Sequence, residues 1–402
     1  MLDGVGDRPH RALQGMTPLQ AARIPFMNSL AAGGMTGIID PVSPGLPVGS
    51  DTGHLAILGY DPYKYYPGRG PFEALGAGIM LRPGDVAFRC NLATLSGETV
   101  IDRRAGRIGS EEAGKLVESL AEVAEIDGVE VILRHTVEHR CVLVLRGEVS
   151  DKVSDVDPHR EGGRVEWPRP LDDSGVSRRT AETLRNLLLR YREILEKHPI
   201  NLKRKAEGKP VANMALPRGA GKMPSLPSLT ERYGVKAAVI AGGALYKGVC
   251  GSAGMEVVEA EGATGTLNTN LDSKFSKAFQ TLKRLDMVFL HIKGTDTAAH
   301  DKDPVTKASF LEKIDSSFAR HFEPPGDEFI VCVTGDHTTS SLTGEHRGDP
   351  VPVLIYGHGV RRDGVQRFNE VDAAGGAIGR IRGLDLMNIL MDLANRTEKF
   401  GE

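Results

Sequence analysis

Short apolar segments alternate with amphipathic helical segments from residue 235 onward. Four runs carry few polar residues: VKAAVIA (235–241), MVFLHI (287–292), FIVCVT (329–334) and VPVLIYG (351–357). Runs of this kind are typical of strands that are buried on both faces of a sheet. The segments between them, SKFSKAFQTLKRL and DPVTKASFLEKIDSSF, place apolar residues on one helical face. This alternation predicts an α/β fold with a doubly wound, mostly parallel sheet and right-handed crossovers.

The middle of the chain has a different pattern and predicts an inserted, smaller α/β domain. It contains two strand-like runs, VEVILRHT and RCVLVLRGEV, then a strongly polar stretch, then one long amphipathic helix, AETLRNLLLRYREILEKH. Residues that look catalytic lie on both sides of this region. We therefore predict a discontinuous core domain of residues 1–84 and 221–402, interrupted by a domain of residues 85–220.

Composition excludes several classes of protein. The chain has 402 residues, of which 26% are charged and 40% hydrophobic, and its net charge of −3 argues against nucleic acid as the main partner. No apolar run approaches the ~20 residues of a membrane helix, and the first residues lack the apolar centre of a signal peptide. The cysteines have no paired spacing and suggest buried free thiols in a reducing, cytoplasmic compartment; they are Cys90, Cys141, Cys250 and Cys332.

Three polar clusters stand at the ends of predicted strands, where ligands gather in open α/β sheets. Asp296 and His300 share a face if a helix begins there, Asp336 and His337 follow the strand FIVCVT, and His346 lies in a polar loop. Taken singly, each has an ordinary explanation: an exposed helix start, a turn, or a loop histidine. Both members of the Asp336–His337 pair can reach one ion only if the backbone has already turned, because neighbours in a strand point to opposite faces.

A serine in PVGSDTGHLAILGYDP raises a separate question. Ser50 could cap the helix that begins here, or it could be a nucleophile displayed at the helix start, and the two interpretations are compatible. We expect His54, four residues later, to be a structural histidine rather than a ligand.

Together these residues predict a two-metal site. The carboxylates and imidazoles, with Asp3 and Ser50, are numerous enough to bind two divalent ions, and they suit Mn²⁺, Zn²⁺, Co²⁺ or Mg²⁺. Paired metals are a standard device for phosphoryl transfer, and one of them can activate a hydroxyl nucleophile. Ser50 would then need no catalytic His-Asp pair.

The sequence resembles the archaeal-type, cofactor-independent phosphoglycerate mutases of the alkaline phosphatase superfamily. The resemblance extends over nearly the whole chain and rests on these motifs in order: LDGVGDRP, GSDTGHLAILGYDPYKYYPGRGPFEALGAGI, VAFRCNLAT, IDRRAGRIG, EHRCVLVLRG, SDKVSDVDPH, HIKGTDTAAHDKD and GDHTTSSLTGEHRGDPVPVLIYG.

The resemblance implies a chemistry and two ligand sets. Ser50 is expected to be transiently phosphorylated while 3-phosphoglycerate and 2-phosphoglycerate interconvert, with no bisphosphoglycerate required and manganese often preferred. One metal would be bound by Asp296, His300 and His346. The other would be bound by Asp3, Ser50, Asp336 and His337.

A mutase must also hold glycerate, which presents a carboxylate, and exclude water until the phosphoryl group returns. The insert is therefore expected to supply fixed cations, among which arginine suits a carboxylate best. A surface charge is the alternative for each candidate. The candidates are Arg103, Arg107, His139, Arg140 and Arg218 in the insert, and Lys247, which could reach the phosphate from the core domain.

One departure from the family pattern concerns Asp3. Relatives carry a buried strand before this aspartate, whereas only Met1 and Leu2 precede it here. Either residues are missing upstream, or Asp3 lies on a frayed terminus and the second metal site and the activity are weak.

Other functions share parts of this pattern. A metal-dependent phosphomonoesterase would use the same ligands without retaining glycerate, and a phosphopentomutase-like enzyme would carry a different substrate pocket. A metal-stabilised binding protein or an impaired relative is the alternative that is not a working enzyme.

Overall fold

The computed structural model of the chain describes residues 1–223, 225–399 and 401. Elements are numbered in chain order. The α-helices of the described residues are α1 (Pro18–Ala21), α2 (Pro25–Gly33), α3 (Ser50–Ile57), α4 (Pro62–Tyr65), α5 (Arg69–Gly76), α6 (Ser110–Ala121), α7 (Gly175–Lys197), α8 (Pro199–Ala206), α9 (Leu229–Tyr233), α10 (Ala244–Ser252), α11 (Leu271–Leu282), α12 (Gly294–His300), α13 (Pro304–His321) and α14 (Gly383–Leu393). Short 3₁₀ turns occupy Arg11–Leu13 and Ala373–Gly375.

The strands of the described residues are β1 (Met35–Asp40), β2 (Val86–Ser96), β3 (Thr99–Asp102), β4 (Glu125–Ile126), β5 (Val129–Val137), β6 (Arg140–Arg146), β7 (Met214–Lys222), β8 (Ala237–Ile240), β9 (Glu256–Val257), β10 (Met287–Leu290), β11 (Ile330–Thr334), β12 (Thr338–Ser340), β13 (Glu345–Arg347), β14 (Val351–Gly357) and β15 (Gly379–Arg382).

The chain divides into two units, and the first consists of Met1–Tyr66 together with Leu226–Glu402. Its strands pair in the orders β11-β14-β1-β15 and β10-β8-β9. The predicted α/β class is confirmed, and the four apolar runs seen in the sequence form β8, β10, β11 and β14. Strand β14, however, runs antiparallel to both of its neighbours, β1 and β11, so the sheet is mixed at this point.

Residues 1–3 connect the two sets of strands. The Leu2 amide donates to the carbonyl of Thr334 at the end of β11, while Leu2 pairs in parallel with Ile292 just beyond β10. Asp3 donates its amide to the Ile292 carbonyl, and its side chain is fully buried. Of the two alternatives, the frayed Asp3 is therefore wrong, because backbone hydrogen bonds to Thr334 on one side and to Ile292 on the other hold this short segment in place.

Helices α11 and α13 of the first unit pack through aromatic side chains. Phe275 stacks on Phe318 with ring centroids 4.8 Å apart, and Phe310 is buried nearby. Helix α13 begins where the Asp303 side chain accepts a hydrogen bond from the Thr306 amide and Pro304 occupies the first turn. This core lies behind β10 and β11, whose carboxyl ends lead into the loops that carry the candidate site.

The second unit consists of Pro67–Ser225. Its sheet is antiparallel, in the order β3-β2-β6-β5-β4. Strand β7 also pairs with β2, on the side of β2 that faces away from β6. The unit begins earlier than the expected residue 85, because helix α5 packs on β2 and β7. The long amphipathic helix seen in the sequence is α7, whose apolar stripe is fully buried; its residues are Leu184, Leu187, Leu188, Tyr191 and Leu195.

Among the described residues, no helix is both long enough and apolar enough to cross a membrane.

Candidate functional site

The polar residues that end the strands of the first unit converge. Asp3 ends the segment beside β11, Asp296 lies in the first turn of α12, and Asp336 and His337 follow β11 directly. All four side chains are buried, and His346 reaches the same place from β13. Their ligand atoms form two groups within 4.8 Å: Asp296, His337 and His346 in one, and Asp3, Asp336 and His337 in the other.

Ser50 is the first residue of α3, and it does not cap the helix. Gly49 occupies the N-cap position, with no side-chain capping bond. The Ser50 hydroxyl instead lies 3.0 Å from Nε2 of His337, and the side chain is buried. The helix start thus presents a hydroxyl to the histidine that belongs to both acidic groups.

Two of the candidate ligand histidines are oriented by a hydrogen bond from one ring nitrogen to a backbone carbonyl. Nδ1 of His300 donates to the carbonyl of Gly344 at 2.7 Å, and Nδ1 of His346 donates to the carbonyl of Val48 at 2.7 Å. A carbonyl oxygen can only accept, so these nitrogens carry the proton and Nε2 keeps a free lone pair when the ring is neutral.

His337 is oriented through a hydroxyl. Thr339 donates its hydroxyl to Oδ1 of Asp296 at 2.7 Å and can therefore accept from Nδ1 of His337 at 3.0 Å. Burial lowers the pKa of His337, although Asp336 opposes this shift, so its ring is neutral near pH 7. Its Nε2 then faces Ser50 as a lone-pair donor, which is the state that a metal ligand requires.

The facing atoms form a cradle that suits cations. Oδ1 of Asp296 lies 3.3 Å from Nε2 of His300 and 3.5 Å from Nε2 of His346. Burial acts to lower the pKa of His346, but the Asp296 carboxylate outweighs it and raises that pKa. Oδ1 of Asp3 and Oδ2 of Asp336 are buried without a hydrogen-bond partner among the described residues. They lie 3.4 and 3.3 Å from Nε2 of His337. Unpartnered carboxylate oxygens beside imidazole lone pairs are costly unless a cation satisfies them, and this donor set fits hard or borderline divalent ions.

The charges at the site are set by its neighbours. Burial acts to raise the pKa of Asp296, but the Lys293 ammonium and the nearby imidazoles outweigh it and hold that pKa well below its usual range. Burial and the Asp3 carboxylate likewise act to raise the pKa of Asp336, and His337 and His54 more than offset them. Both carboxylates are therefore ionised and ready to bind a cation.

Close packing of backbone surrounds the acidic residues. Gly4 has a φ of 60°, and a Cβ there would lie 2.5 Å from the Thr339 hydroxyl and 2.9 Å from Oδ1 of Asp296. Only glycine combines this left-handed conformation with so close an approach. The Gly4 amide donates to Oδ1 of Asp336 at 3.0 Å, which directs the other oxygen of that carboxylate toward His337.

Two histidines and a lysine that sequence reasoning did not assign as ligands support the carboxylates. Nε2 of His291 lies 3.0 Å from Oδ2 of Asp3, and Nδ1 of His54 lies 2.7 Å from the Ser50 carbonyl and 3.2 Å from Oδ2 of Asp336. His54 thus has the structural surroundings that we expected for it. Lys293 lies beside both acidic groups, and a signal for it was present, since it precedes Asp296 by one helical turn.

Lys247 has another partner. Its ammonium lies 2.6 and 2.9 Å from the two carboxylate oxygens of Glu259. The lysine that approaches the candidate ligands is Lys293 instead.

Two of the other candidate cations lie beside one carboxylate of the second unit, that of Asp157. Arg103 forms a two-point ion pair with Asp157, at 2.8 and 2.6 Å. Arg218 lies 3.6 Å from the same carboxylate and 3.2 Å from Nδ1 of His159. Arg107 is exposed in a tight turn with a φ of 54°.

His139 and Arg140 complete the predicted set. His139 is buried with Nδ1 unpartnered, and Nε of Arg140 also has no partner among the described residues. Burial, reinforced by the Arg140 and Arg89 guanidinium groups, lowers the pKa of His139 to about 3, so this ring is neutral at physiological pH.

Sequence reasoning missed two arginines of the same unit. Arg69 donates to Glu73 at 3.1 Å, and the buried Arg89 lies 3.7 Å from that carboxylate, with an Nε that has no partner among the described residues. Arg89 and Arg218 are directly opposite on neighbouring antiparallel strands. Like charges in this position repel, which favours an anion between or beside them. The sequence signal for Arg89 was its position as the one charged residue in the mostly apolar run VAFRCNLATL.

Comparison with known proteins agrees with this geometry. A family model described as 2,3-bisphosphoglycerate-independent phosphoglycerate mutase matches residues 31–201. A Pyrococcus horikoshii protein with that name is 48% identical, over 100% of this chain and 97% of its own length. A Methanocaldococcus jannaschii protein named 2,3-bisphosphoglycerate-independent phosphoglycerate mutase 1 is 47% identical, over 100% of this chain and 98% of its own length.

Solved structures give the same result. A Pyrococcus horikoshii protein has a TM-score of 0.88 and 42% identity, with 100% of this chain and 98% of that chain covered. The cofactor-independent phosphoglycerate mutase of Thermoplasma acidophilum has a TM-score of 0.70 and 40% identity, with 98% of each chain covered. The chain is therefore an enzyme, and it belongs to the family of 2,3-bisphosphoglycerate-independent phosphoglycerate mutases.

Proposed function

We propose that this enzyme is an isomerase that interconverts 3-phosphoglycerate and 2-phosphoglycerate through a phosphoserine at Ser50, in a site that holds two divalent metal ions. The observation that carries the proposal is the buried Ser50 hydroxyl, 3.0 Å from the histidine that belongs to both acidic groups. The names of the relatives supply the substrate class.

Seven residues are the proposed metal ligands. One set consists of Asp296, His300 and His346, and Nε2 of His300 is 3.3 Å from the Asp296 carboxylate. The other set consists of Asp3, Asp336, His337 and Ser50, and both carboxylates and the Ser50 hydroxyl lie close to Nε2 of His337. When bound, the ions would lower the pKa of that hydroxyl and neutralise the phosphoryl oxygens. Mn²⁺ is the first ion to test, since carboxylate and imidazole together suit it.

Ser50 would act as the acceptor and then the donor of the phosphoryl group. Its oxygen attacks the phosphorus as the bond to the 3-oxygen of the substrate breaks, the loss of the Ser50 proton is balanced by protonation of that 3-oxygen, and glycerate remains bound. The 2-hydroxyl oxygen of glycerate then loses its proton and attacks the phosphoserine, the Ser50–phosphorus bond breaks, and the Ser50 oxygen takes up a proton. The backbone amides at the start of α3 also favour the negative charge of the phosphoserine. No bisphosphoglycerate enters this sequence of steps.

The arginines of the second unit are the proposed site for the glycerate carboxylate. Arg103, Arg140 and Arg218 outnumber the acidic groups near them once Arg69 and Arg89 are included, and guanidinium nitrogens without a partner among the described residues remain on Arg89 and Arg140. Guanidinium groups bind carboxylates through two parallel hydrogen bonds. We propose that these arginines, with His139 and Arg107, retain glycerate between the two transfers. Lys247 remains a weaker candidate, because Glu259 already occupies its ammonium.

We also retain the proposal of a cytoplasmic location. Cys90, Cys141 and Cys250 are buried, and Cys332 is partly buried, and all four are free thiols, as expected in a reducing compartment.

The direct test follows two products at once. Purified protein with Mn²⁺ and 3-phosphoglycerate should yield 2-phosphoglycerate without added bisphosphoglycerate, and Ser50→Ala should abolish the product. Mass spectrometry of acid-quenched protein should find a phosphate on the peptide that contains Ser50. Release of free phosphate alone would identify a phosphomonoesterase, and full activity of Ser50→Ala would exclude the phosphoserine mechanism.

A further inference from the structure

Lys293 lies between carboxylates that belong to the two different metal-binding groups. Its ammonium is 2.6 Å from Oδ2 of Asp296 and 3.4 Å from Oδ2 of Asp3. Asp296 and Asp3 are almost fully buried, whereas the lysine side chain is 22% exposed. One cation thus contacts both groups at the same time.

In both carboxylates one oxygen faces an imidazole and the other faces Lys293. Oδ1 of Asp296 faces Nε2 of His346 at 3.5 Å, and Oδ1 of Asp3 faces Nε2 of His337 at 3.4 Å. The Oδ2 atoms point to Lys293 instead. The ammonium therefore fixes the outer oxygen of each carboxylate and leaves the inner oxygen directed at the imidazoles.

Neighbouring side chains hold Lys293 in this place. It immediately precedes α12, so that Asp296 follows it by one turn of helix. Its ammonium lies 5.5 Å from the ring centroid of Tyr246, which stacks on His291 at 3.6 Å. His291 in turn contacts Oδ2 of Asp3. Lysine, aromatic ring and imidazole thus form one packed group behind the carboxylates, and this limits the freedom of Lys293.

We propose that Lys293 is a positioning residue that couples the two metal-binding groups, holding Asp3 and Asp296 so that their inner oxygens are set for the ions. The inference rests on the proposed two-metal function. It predicts that metal binding weakens when Lys293 is removed, whereas simple electrostatic repulsion predicts that metal binding strengthens. A cation that only repelled the metals would weaken their binding, so its removal would strengthen it, whereas removal of an orienting partner weakens metal binding by roughly 10–100-fold.

The sign of the change can be measured on the full chain after the metal has been stripped by a chelator. Isothermal titration with Mn²⁺ would compare the wild type with Lys293→Met and Lys293→Arg. Lys283→Met is the matched control, because Lys283 is an exposed lysine of the same unit. We expect affinity to fall about 10–100-fold in Lys293→Met, to recover in part in Lys293→Arg, and to stay unchanged in Lys283→Met.

Unchanged or tighter Mn²⁺ binding by a folded Lys293→Met protein would overturn the inference. A wild type that binds no Mn²⁺ would instead overturn the proposed function itself, so the two failures are distinguishable. Circular dichroism checks the fold of each variant. If the methionine variant is not folded, Lys293→Gln provides the same comparison with a neutral side chain that retains a donor, and the same fall in affinity is expected.

Discussion

The Ser50 hydroxyl lies 3.0 Å from Nε2 of His337, and 287 positions separate the two residues in the chain. Helix α3 supplies the hydroxyl at its first residue, and the loop after β11 supplies the imidazole. Because His337 also belongs to both acidic groups, the relationship places the proposed nucleophile beside the one residue that the two groups share among those the structure describes.

Replacement of His337 should disable the metal-binding set that it forms with Asp3, Ser50 and Asp336. We expect His337→Ala to reduce the bound Mn²⁺ from two ions per chain to about one, with a loss of activity exceeding the roughly 10–100-fold cost of losing a residue that only orients a ligand. Elemental analysis of dialysed protein measures the metal content. His358→Gln is the control, since His358 is exposed in a loop of the same unit, and two ions in the His337 variant would contradict the prediction.

Helix α3 should tolerate no side chain at Gly53. A Cβ there would lie 2.4 Å from the Asp336 carbonyl, so Gly53→Ala must push Ser50 and the Asp336 loop apart. We expect activity to fall at least about tenfold while the protein stays folded, because displacements of about 1 Å at a reacting centre cost up to about 100-fold.

A helical glycine in an open position is the control for this variant. A Cβ added at Gly251 in α10 would meet no atom within 4 Å, so Gly251→Ala should keep full activity and gain about 0.5–1 kcal/mol of stability. Activity assays and urea unfolding distinguish the two. Wild-type activity in Gly53→Ala would show that the loop can move without consequence.

The buried pair of Asp7 and Lys307 should be a strong point of stability. The Lys307 ammonium lies 2.9 Å from the Asp7 carboxylate and also donates to the carbonyls of Gly6 and Thr339. Lys307→Met would leave a buried carboxylate unpaired, and we expect a cost of about 3–5 kcal/mol in the free energy of unfolding. Urea titration followed by circular dichroism measures it.

An exposed ion pair provides the comparison. Arg320 lies 2.7 Å from Asp272 at the surface, so Arg320→Met should cost less than about 1 kcal/mol. The double variant Asp7→Asn with Lys307→Met should recover part of the loss, since no charge then stays buried alone. Equal losses in the free energy of unfolding for Lys307→Met and Arg320→Met would contradict this account.

Acid should destabilise the second unit through His139. Its pKa is about 3 in the folded chain and near 6.5 when unfolded, so the unfolded state binds the proton first as pH falls below 6.5. Stability is therefore lost progressively between pH 6.5 and about 3, by about 2 kcal/mol at pH 5. His139→Gln should remove this part of the pH dependence.

The measurement can be made specific to that unit. Trp167, the single tryptophan of the chain, lies in the second unit, so its fluorescence during urea unfolding at pH 7 and pH 5 reports on this unit. His135→Gln, in the same sheet, should keep the wild-type difference between the two pH values. The same difference in His139→Gln would show that other groups cause the acid sensitivity.

Strand positions could be predicted from the sequence because continuous apolar runs indicate burial. Strands β8, β10, β11 and β14 were found in this way. Their directions could not, since an apolar run reads the same for either direction, and β14 proved antiparallel to its neighbours. The segment at residues 1–3 is too short to show any period, and its partners, Ile292 and Thr334, lie far away in the sequence.

The candidate site was partly predictable for a similar reason. Asp296 and Asp336 follow β10 and β11, and predicted strand ends are where ligands gather in open α/β sheets, so a shared site could be expected. The sharing of His337 between two groups depends on the turn after β11, which no local pattern specifies. Lys247 was predicted to reach the phosphate, and only the folded chain shows that Glu259 pairs with its ammonium.

The position of residues 1–3 between β10 and β11 has a consequence for the order in which the chain can fold during synthesis. The segment that carries Asp3 is synthesised well before both strands that pair with it, which are made only after residue 286. The second unit, which is continuous in sequence and has its own core, can fold in the interval. Asp3 therefore reaches its neighbours late, and long-range closure of this kind is slow. Nascent chains that stop before β10 would have a folded second unit while the acidic site is still unassembled.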